Sequence, residues 1–433
     1  MADLNASAVA SARPALDERL LRALATALGG DAAQLSRRLA ALARYEAAEE
    51  PDRVRHLWRF TNPALLLPAS VAGVRGDDVL RASAPPAPGA VATIDLWPGR
   101  APVVQTAEEL PVGALVFTAA DEPLRGGGAQ AADLFGALGD AAWNTGVGLK
   151  VADGVKLTGP IHVRVHATAE ASLPRLRLAV GRNAEMMLVE QHLGGGPGVR
   201  VVGRTVISTG EGARVRHAVV QVWEPGTCGH LAVVTRAGAD ADILTVCGVF
   251  GGDDTKLELA TDLAGVGARS EIVGVALVAG RQHADVHTSH RHLAGHTTSR
   301  IDYKAVAGQQ ARSTYTGLIR IEEHATHCEA YQENRNLLLS SRARADAIPE
   351  LEIHNQEVSC SHGATIAPVD PEQLFYLGSR GLDPHEALGL VVRGFLENTL
   401  ARLPGDARAM VEAFTGPRLA TIREGTASRG GAA

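Results

Sequence analysis

The sequence predicts a mainly β protein, with a core of short strands between a helical N-terminus and a helical C-terminus. Three observations carry that reading. From about residue 146 to 366, short β-rich runs recur between glycine turns with no amphipathic helix among them. Between Val151 and Arg300 only Trp223 and Phe250 are aromatic, so small and β-branched side chains must fill the core there. Helical periodicity with capping residues is confined to the two ends.

The first unit, residues 1–62, is helical. Leu20, Leu21, Leu24 and Leu28 form one stripe, Gly29-Gly30 stops it, and Asp31 caps a second helix carrying Leu35, Leu39 and Leu42. Together they predict a helical hairpin ending near Tyr45. Residues 63–145, rich in Pro, Ala and Gly as far as Gly128, read as an irregular connection with a few strands.

Residues 146–369 form the core. Its strands include Ile161 to Val165, Leu176 to Val180, Met186 to Val189, Val201 to Ile207, Val215 to Val222, Ile243 to Phe250 and Ile272 to Val278. Connections this short exclude βαβ crossovers and leave a sandwich, a barrel or a β-solenoid. Scarce aromatics favour the solenoid, whose thin interior suits Val, Ile, Leu and Ala. No strict repeat is visible.

Residues 370–433 return to helix and read as a separable domain. Asp370-Pro371 and Asp383-Pro384 each pair an N-cap with proline at the first helical position, Glu386 completes a capping-box pattern, and Gly381 stands where a C′ glycine belongs. Leu388, Val391, Val392, Phe395, Leu396, Leu400 and Leu403 make an apolar stripe that ends at Pro404-Gly405. Asp406 opens a third helix through Phe414.

Composition narrows the function. A formal net charge of -6 argues against nucleic acid as a partner. Four cysteines without close pairing, no signal-peptide pattern in MADLNASAVA and no membrane-length apolar run predict a cytoplasmic protein. The four lysines, Lys150, Lys156, Lys256 and Lys304, include none in a Gly-Lys-Ser/Thr phosphate loop, so no nucleotide is expected on this chain.

The motif that bears on chemistry is Cys360-Ser361-His362-Gly363-Ala364-Thr365. A thiolate and an imidazole two residues apart on a strand share a face and suit a soft or borderline metal. The surrounding run LEIHNQEVSCSHGATIAPVDPEQLFYLGSRGL continues a pattern set upstream by Asp285-Val286-His287-Thr288, His292, Arg320-Ile321-Glu322 and Asn334-Arg335-Asn336-Leu337-Leu338-Leu339, with Trp58-Arg59-Phe60-Thr61 near the N-terminus. This set resembles the SufD branch of the SufB/SufD family of the SUF iron–sulfur cluster assembly system. The likeness is strong over roughly the last 150 residues and looser before them. Ala367-Pro368 replaces a usual glycine, and Phe60 lacks the hydroxyl of the family's tyrosine.

The resemblance implies a right-handed parallel β-helix core flanked by the two helical domains. It also implies a non-catalytic scaffold that pairs with a SufB-like paralogue and docks a SufC-like ABC ATPase, with a homodimer as the alternative for the isolated chain. His362 and Cys360 would then handle iron or a nascent iron–sulfur cluster at the shared interface. Phe375, Tyr376, Leu377, Arg380 and Phe395 on the last helices would serve ATPase docking.

Secondary metal candidates are His290, His292 and Cys328. His290 and His292 belong to a run with His283, His287 and His296, which reads more readily as a surface or turn cluster. Cys247 and Cys328 read as small core residues. Glu322-Glu323-His324 with His327-Cys328 forms a further ligand-type group, and Gly194 to Gly198 reads as a flexible loop. Two other functions compete: a SufB-like scaffold holding the cluster itself, and a β-helix polysaccharide-active enzyme. The second lacks the expected sugar-stacking aromatics.

Overall fold

The computed structural model describes residues 13–51, 54, 56–71, 85–106, 110, 112–122 and 133–403, together with 408–409, 411–413, 415–416 and 418. The N-terminal part holds helices α1 (Glu18–Ala27) and α2 (Ala32–Ala47), strands β1 (Ala92–Leu96), β2 (Val103–Thr106) and β3 (Leu115–Thr118), and helix α3 (Leu134–Ala142). Then come β4 (Thr145–Val151), β5 (Ile161–Ala167), β6 (Ala171–Ser172), β7 (Pro174–Val180), β8 (Glu185–Gly195), β9 (Arg200–Thr209), β10 (Arg214–Glu224) and β11 (Cys228–Ala237). The series continues with β12 (Asp242–Val249), β13 (Asp254–Leu263), β14 (Arg269–Val278), β15 (His283–His292), β16 (Thr298–Ala307) and β17 (Arg312–Ile321). It closes with β18 (Cys328–Leu338), β19 (Arg344–Ile353), β20 (Val358–Pro368) and helices α4 (Pro371–Ser379) and α5 (Pro384–Leu400).

From β4 onward the strands alternate between two parallel sheets, β5-β8-β10-β12-β14-β16-β18-β20 and β4-β7-β9-β11-β13-β15-β17-β19. This is a parallel β-solenoid, two long strands per coil. Arg214 pairs with Asp242, Asp242 with Arg269 and Arg269 with Thr298, so successive coils advance by 28, 27 and 29 residues. Val, Ile, Leu and Ala dominate the interior, as the scarcity of aromatics predicts, with Trp223, Tyr303 and Tyr315 buried among them.

The repeat escapes inspection of the sequence because it is conformational. One corner of each coil holds a left-handed residue: Gly154, Asn183, Gly212, Asp240, Gly267, His296 and His327, with φ between 51° and 75°. Each donates its N–H to the next coil, as Asn183 does to Glu211 O and His296 to Thr326 O. Glycine, asparagine, aspartate and histidine all satisfy that corner, so no single letter recurs.

The segment expected to be irregular is more ordered than composition suggested. β1 pairs in parallel with β5 and starts the first sheet ahead of residue 146, while β3 joins β4 antiparallel. Helix α3 was not anticipated. It is capped by Asp133, whose carboxylate accepts from Gly136 N at 2.6 Å, and it packs with α1 and α2 against the second sheet. The predicted caps Asp31, Asp370 and Asp383 all accept backbone N–H groups, and Gly381 adopts φ 88°.

Two expectations change. The residues of α2 most deeply buried are Gln34, Arg38, Ala41 and Tyr45, with the leucine stripe only half-buried. Arg38 lies over the Trp143 ring at 4.2 Å and donates to Ala141 O, so a guanidinium seats this helix. The C-terminal stripe is not free-standing either. Val392, Leu396, Leu400 and Leu403 bury against Val220, Val246 and Val275 on the outer face of the first sheet. Asp406, Phe414 and the Pro404-Gly405 stop lie outside the described residues.

Candidate functional site

β20 is the last strand of the first sheet and, among the described residues, only β18 pairs with it. Cys360 lies opposite Ala330 and His362 opposite Gln332. Val358 and Cys360 turn inward and pack on the solenoid core, and His362, two residues on, follows the same side of the strand. Among the described residues no further coil covers this one, and His362 is exposed while Cys360 is half-buried. Burial, with Cys328 nearby, pushes the Cys360 thiol up from its ordinary range. A metal bound in its place would have to displace that proton.

Among the described residues, no group of three or more His, Cys, Asp or Glu side chains is arranged to hold a metal ion. Cys360 and His362 thus supply two donors, and further ligands would have to come from a bound partner or from the cargo itself.

α4 begins three residues after β20, and none of its residues is buried. Phe375 is 79% exposed and Tyr376 56%, with the Arg380 guanidinium 5.2 Å from the Tyr376 ring. Tyr376, Leu377, Leu390 and Val391 line an open cleft of about 450 Å³ between α4 and α5. Phe395 belongs elsewhere. It packs toward the solenoid, where its carbonyl accepts from Lys304 Nζ and its ring lies 5.0 Å from that ammonium.

The histidine run is not a surface cluster. His287, His290 and His292 are buried. His290 Nε2 pairs with Ser270 Oγ at 2.9 Å, while His292 bonds Thr297 Oγ1 at 2.7 Å and Ser299 Oγ at 2.9 Å. Burial, aided by the neighbouring His292, lowers His290 to about 3, and burial lowers His292 to about 4. These are neutral interior groups. His283 faces Asp254 at 3.3 Å, and His296 is a corner residue whose ring lies tilted against that of the His327 corner at 5.0 Å.

Cys328 is buried with its sulfur 3.2 Å from Thr297 Oγ1, and Cys247 is buried with its thiol pushed up to about 12 by burial. In the neighbouring ligand-type group, Glu322 pairs with Arg320 and His324 with Leu293 O, so those side chains are already engaged. The glycine loop is packed: Gly196 N donates to Thr227 Oγ1 at 2.8 Å.

Sequence reasoning missed a buried charge cluster on the outer face of the second sheet. His230, Lys256 and Asp285 share one row across β11, β13 and β15, and Glu258 and His287 share the adjacent row. Lys256 Nζ donates to Leu57 O at 2.7 Å and to Asp285 Oδ2 at 3.3 Å, and it lies 4.9 Å from the Trp58 ring. Burial would raise the Asp285 carboxyl, but the hydrogen-bonded neighbour His287 and then the Lys256 ammonium outweigh it and hold that carboxyl well below its usual range. The rarity of lysine was the available signal, since two of the four, Lys256 and Lys304, are buried. Inside the solenoid a second cluster joins Glu190 to His192 at 2.7 Å, His217 at 3.2 Å and Thr205 at 2.8 Å.

Comparison with known proteins agrees with this geometry. The family model described as SUF system FeS cluster assembly, SufBD core domain, matches residues 163–395, more than half of the chain. An iron-sulfur cluster assembly SufBD family protein of Mycobacterium bovis is 34% identical over 192 residues, covering 44% of this chain and 23% of that protein. The chain therefore spans about a quarter of the length of that relative. The iron-sulfur cluster assembly protein SufB of Bacillus subtilis is 29% identical over 274 residues, 62% of this chain and 59% of that protein. A SufBD family protein of Mycobacterium tuberculosis is 29% identical over 292 residues, 65% of this chain and 73% of that protein. The chain belongs to the SufBD family of the SUF iron–sulfur cluster assembly system.

Proposed function

We propose that this SufBD-family chain is a SufD-like, non-catalytic scaffold subunit that pairs with a SufB-like paralogue and docks a SufC-like ATPase. The observation that carries this reading is the position of Cys360 and His362 on the terminal strand β20, which among the described residues leaves one sheet edge unpaired and the last coil uncovered. Such an edge is a template for a second chain. Two donors on one side of it would be completed by the partner's ligands, so that iron or a nascent cluster passes through as cargo.

The α4 face supports the second contact. Phe375 and Tyr376 are large, exposed and adjacent to an apolar cleft, a composition common at interface cores. α5 is bolted to the solenoid through Asp302, which accepts from Thr399 Oγ1 at 3.0 Å and Arg402 Nη1 at 2.8 Å. Force applied at α4 and α5 would reach β16 and, two strands on, β20.

The test is anaerobic co-expression with candidate SufB-like and SufC-like subunits, followed by subunit stoichiometry and by iron and sulfide analysis. A three-component complex carrying iron and sulfide is expected, with loading reduced when His362 is replaced. A chain that carries a full cluster alone would instead be a SufB-like scaffold. One that joins no such complex would refute the proposal.

A further inference from the structure

We propose that Gln332 is the positioning residue for His362: the exposed imidazole, not bonded to Gln332 as it stands, turns so that the Gln332 amide oxygen accepts its Nδ1–H and Nε2 is left as the donor facing the open end of the solenoid. The inference rests on the reading of His362 as a metal or cluster donor and adds the residue that orients it.

Gln332 and His362 are Cα partners on neighbouring parallel strands, whose spacing is about 4.8 Å. Both lie on the inward side. Cys328 and Ala330 on β18 and Val358 and Cys360 on β20 pack in the same core, and Gln332 and His362 continue those two alternations. Gln332 is fully buried even though the coil above it is the last.

Its amide orientation is fixed by chemistry. Nε2 donates to Gly317 O at 3.3 Å across the solenoid, and a carbonyl oxygen only accepts, so the NH₂ group must face Gly317. Oε1 is therefore turned the other way, and it is buried with no hydrogen-bond partner among the described residues. A buried acceptor in that state gains from any donor brought within reach, and on the neighbouring strand the side chain opposite it is His362.

The far side of the solenoid is shaped to admit this amide. A Cβ at residue 317 would stand 2.2 Å from Gln332 Nε2 and 2.4 Å from Tyr315 Oη, so only glycine lets the side chain cross the interior. Tyr315 Oη is itself held by Thr288 Oγ1 at 2.7 Å. A histidine with one N–H held by an acceptor presents the lone pair of its other nitrogen in a fixed direction, the usual arrangement behind a metal-binding imidazole. Nδ1 sits at the base of the ring, near the strand, which is where a same-row neighbour reaches. Nε2 sits at the tip.

The test uses the full chain with ¹⁵N-labelled histidine. Long-range ¹H–¹⁵N correlation reports the His362 tautomer, assigned as the signal lost in His362→Ala. The expected result is the Nδ1–H form in the wild type and reversion to the Nε2–H form of free imidazole in Gln332→Leu. Anaerobic titration with Fe²⁺ alone should show affinity about 10-fold or more weaker in Gln332→Leu. An Nε2–H tautomer in the wild type, or a tautomer unmoved by Gln332→Leu, overturns the proposal. If Gln332→Leu does not fold, the wild-type tautomer decides alone. Fe²⁺ binding unaffected by His362→Ala would instead remove the donor reading of His362, and the tautomer would still show whether Gln332 orients the ring.

Discussion

Thr61 Oγ1 donates to Asp285 Oδ2 at 2.6 Å across 224 positions of sequence, and both side chains are buried. This bond, with the Lys256 bond to Leu57 O, fastens the strap between the N-terminal helices and the solenoid onto the second sheet. Trp58 completes the seat by stacking on Phe135 at 4.8 Å. The result is a set of charges covered by a short segment, an arrangement in which loss of one partner matters more than the net strength of the pair.

Thr61→Val should therefore lower stability by about 1–3 kcal/mol, because it leaves a buried carboxylate oxygen with one donor fewer. Lys256→Met should cost more, about 3–5 kcal/mol, since it strips the cation from a buried Asp285. Denaturant unfolding followed by tryptophan fluorescence measures both. Equal midpoints for Thr61→Val and wild type would show that the strap contributes nothing through this bond.

Acid should destabilise the fold through His290 and His292. Burial lowers both folded values, to about 3 and about 4, against about 6.5 in the unfolded chain. The unfolded state thus binds more protons between those limits, so stability is complete above about pH 6.5 and falls as the pH drops toward the folded values. The loss should amount to a few kcal/mol, on the order of 1.4 per unit for each histidine. Unfolding midpoints at pH 7 and 4.5 should differ in the wild type and differ less in His290→Gln; an unchanged difference would relieve His290 of this role.

Leu396→Ala on α5 should cost about 2–5 kcal/mol, since the side chain is buried against the first sheet. Phe375→Ser on α4 should shift stability by no more than about 0.5 kcal/mol, yet weaken capture of the ATPase subunit. Thermal unfolding and pull-down separate the two effects. ATPase binding that survives Phe375→Ser together with Tyr376→Ser would place docking on another face.

His362→Ala should leave the assembled complex intact, because the residue is exposed on the last strand, but reduce its iron and acid-labile sulfide. Cys360→Ser should reduce them equally if both atoms bind one iron and less if the imidazole is the principal donor. Metal and sulfide per complex, measured anaerobically, rank the two residues. Wild-type loading in His362→Ala would leave the motif as interface packing.

Much of the fold was legible because its signals are local. Glycine turns between β-branched runs, the near absence of aromatics, and Asp-Pro starts at Asp370 and Asp383 each act within a few residues, so the strands and caps they predict are present. Helix α3 gave only the Asp133 cap and no helical stripe: its LFGALGDAA sequence is apolar almost all round and carries two glycines, because it is buried between α2 and the sheet. The coil repeat, which varies from 26 residues (Cys228 to Asp254) to 32 (Arg312 to Arg344), is written in backbone conformation, which Gly212, Asp240 and His296 satisfy alike.

Local patterns were enough for the mainly β class of the core, the two helical ends and a Cys-x-His pair spaced for one face of a strand. Tertiary structure alone decided what surrounds those residues. It put Cys360 and His362 on the last coil of the described residues, drew His290 and His292 into the interior as neutral hydrogen-bonded groups, and set Lys256 under Trp58 beside Asp285. The physical reason is that exposure, pairing and charge state depend on which strands become neighbours. In a solenoid those neighbours lie a whole coil away, beyond the reach of any local pattern.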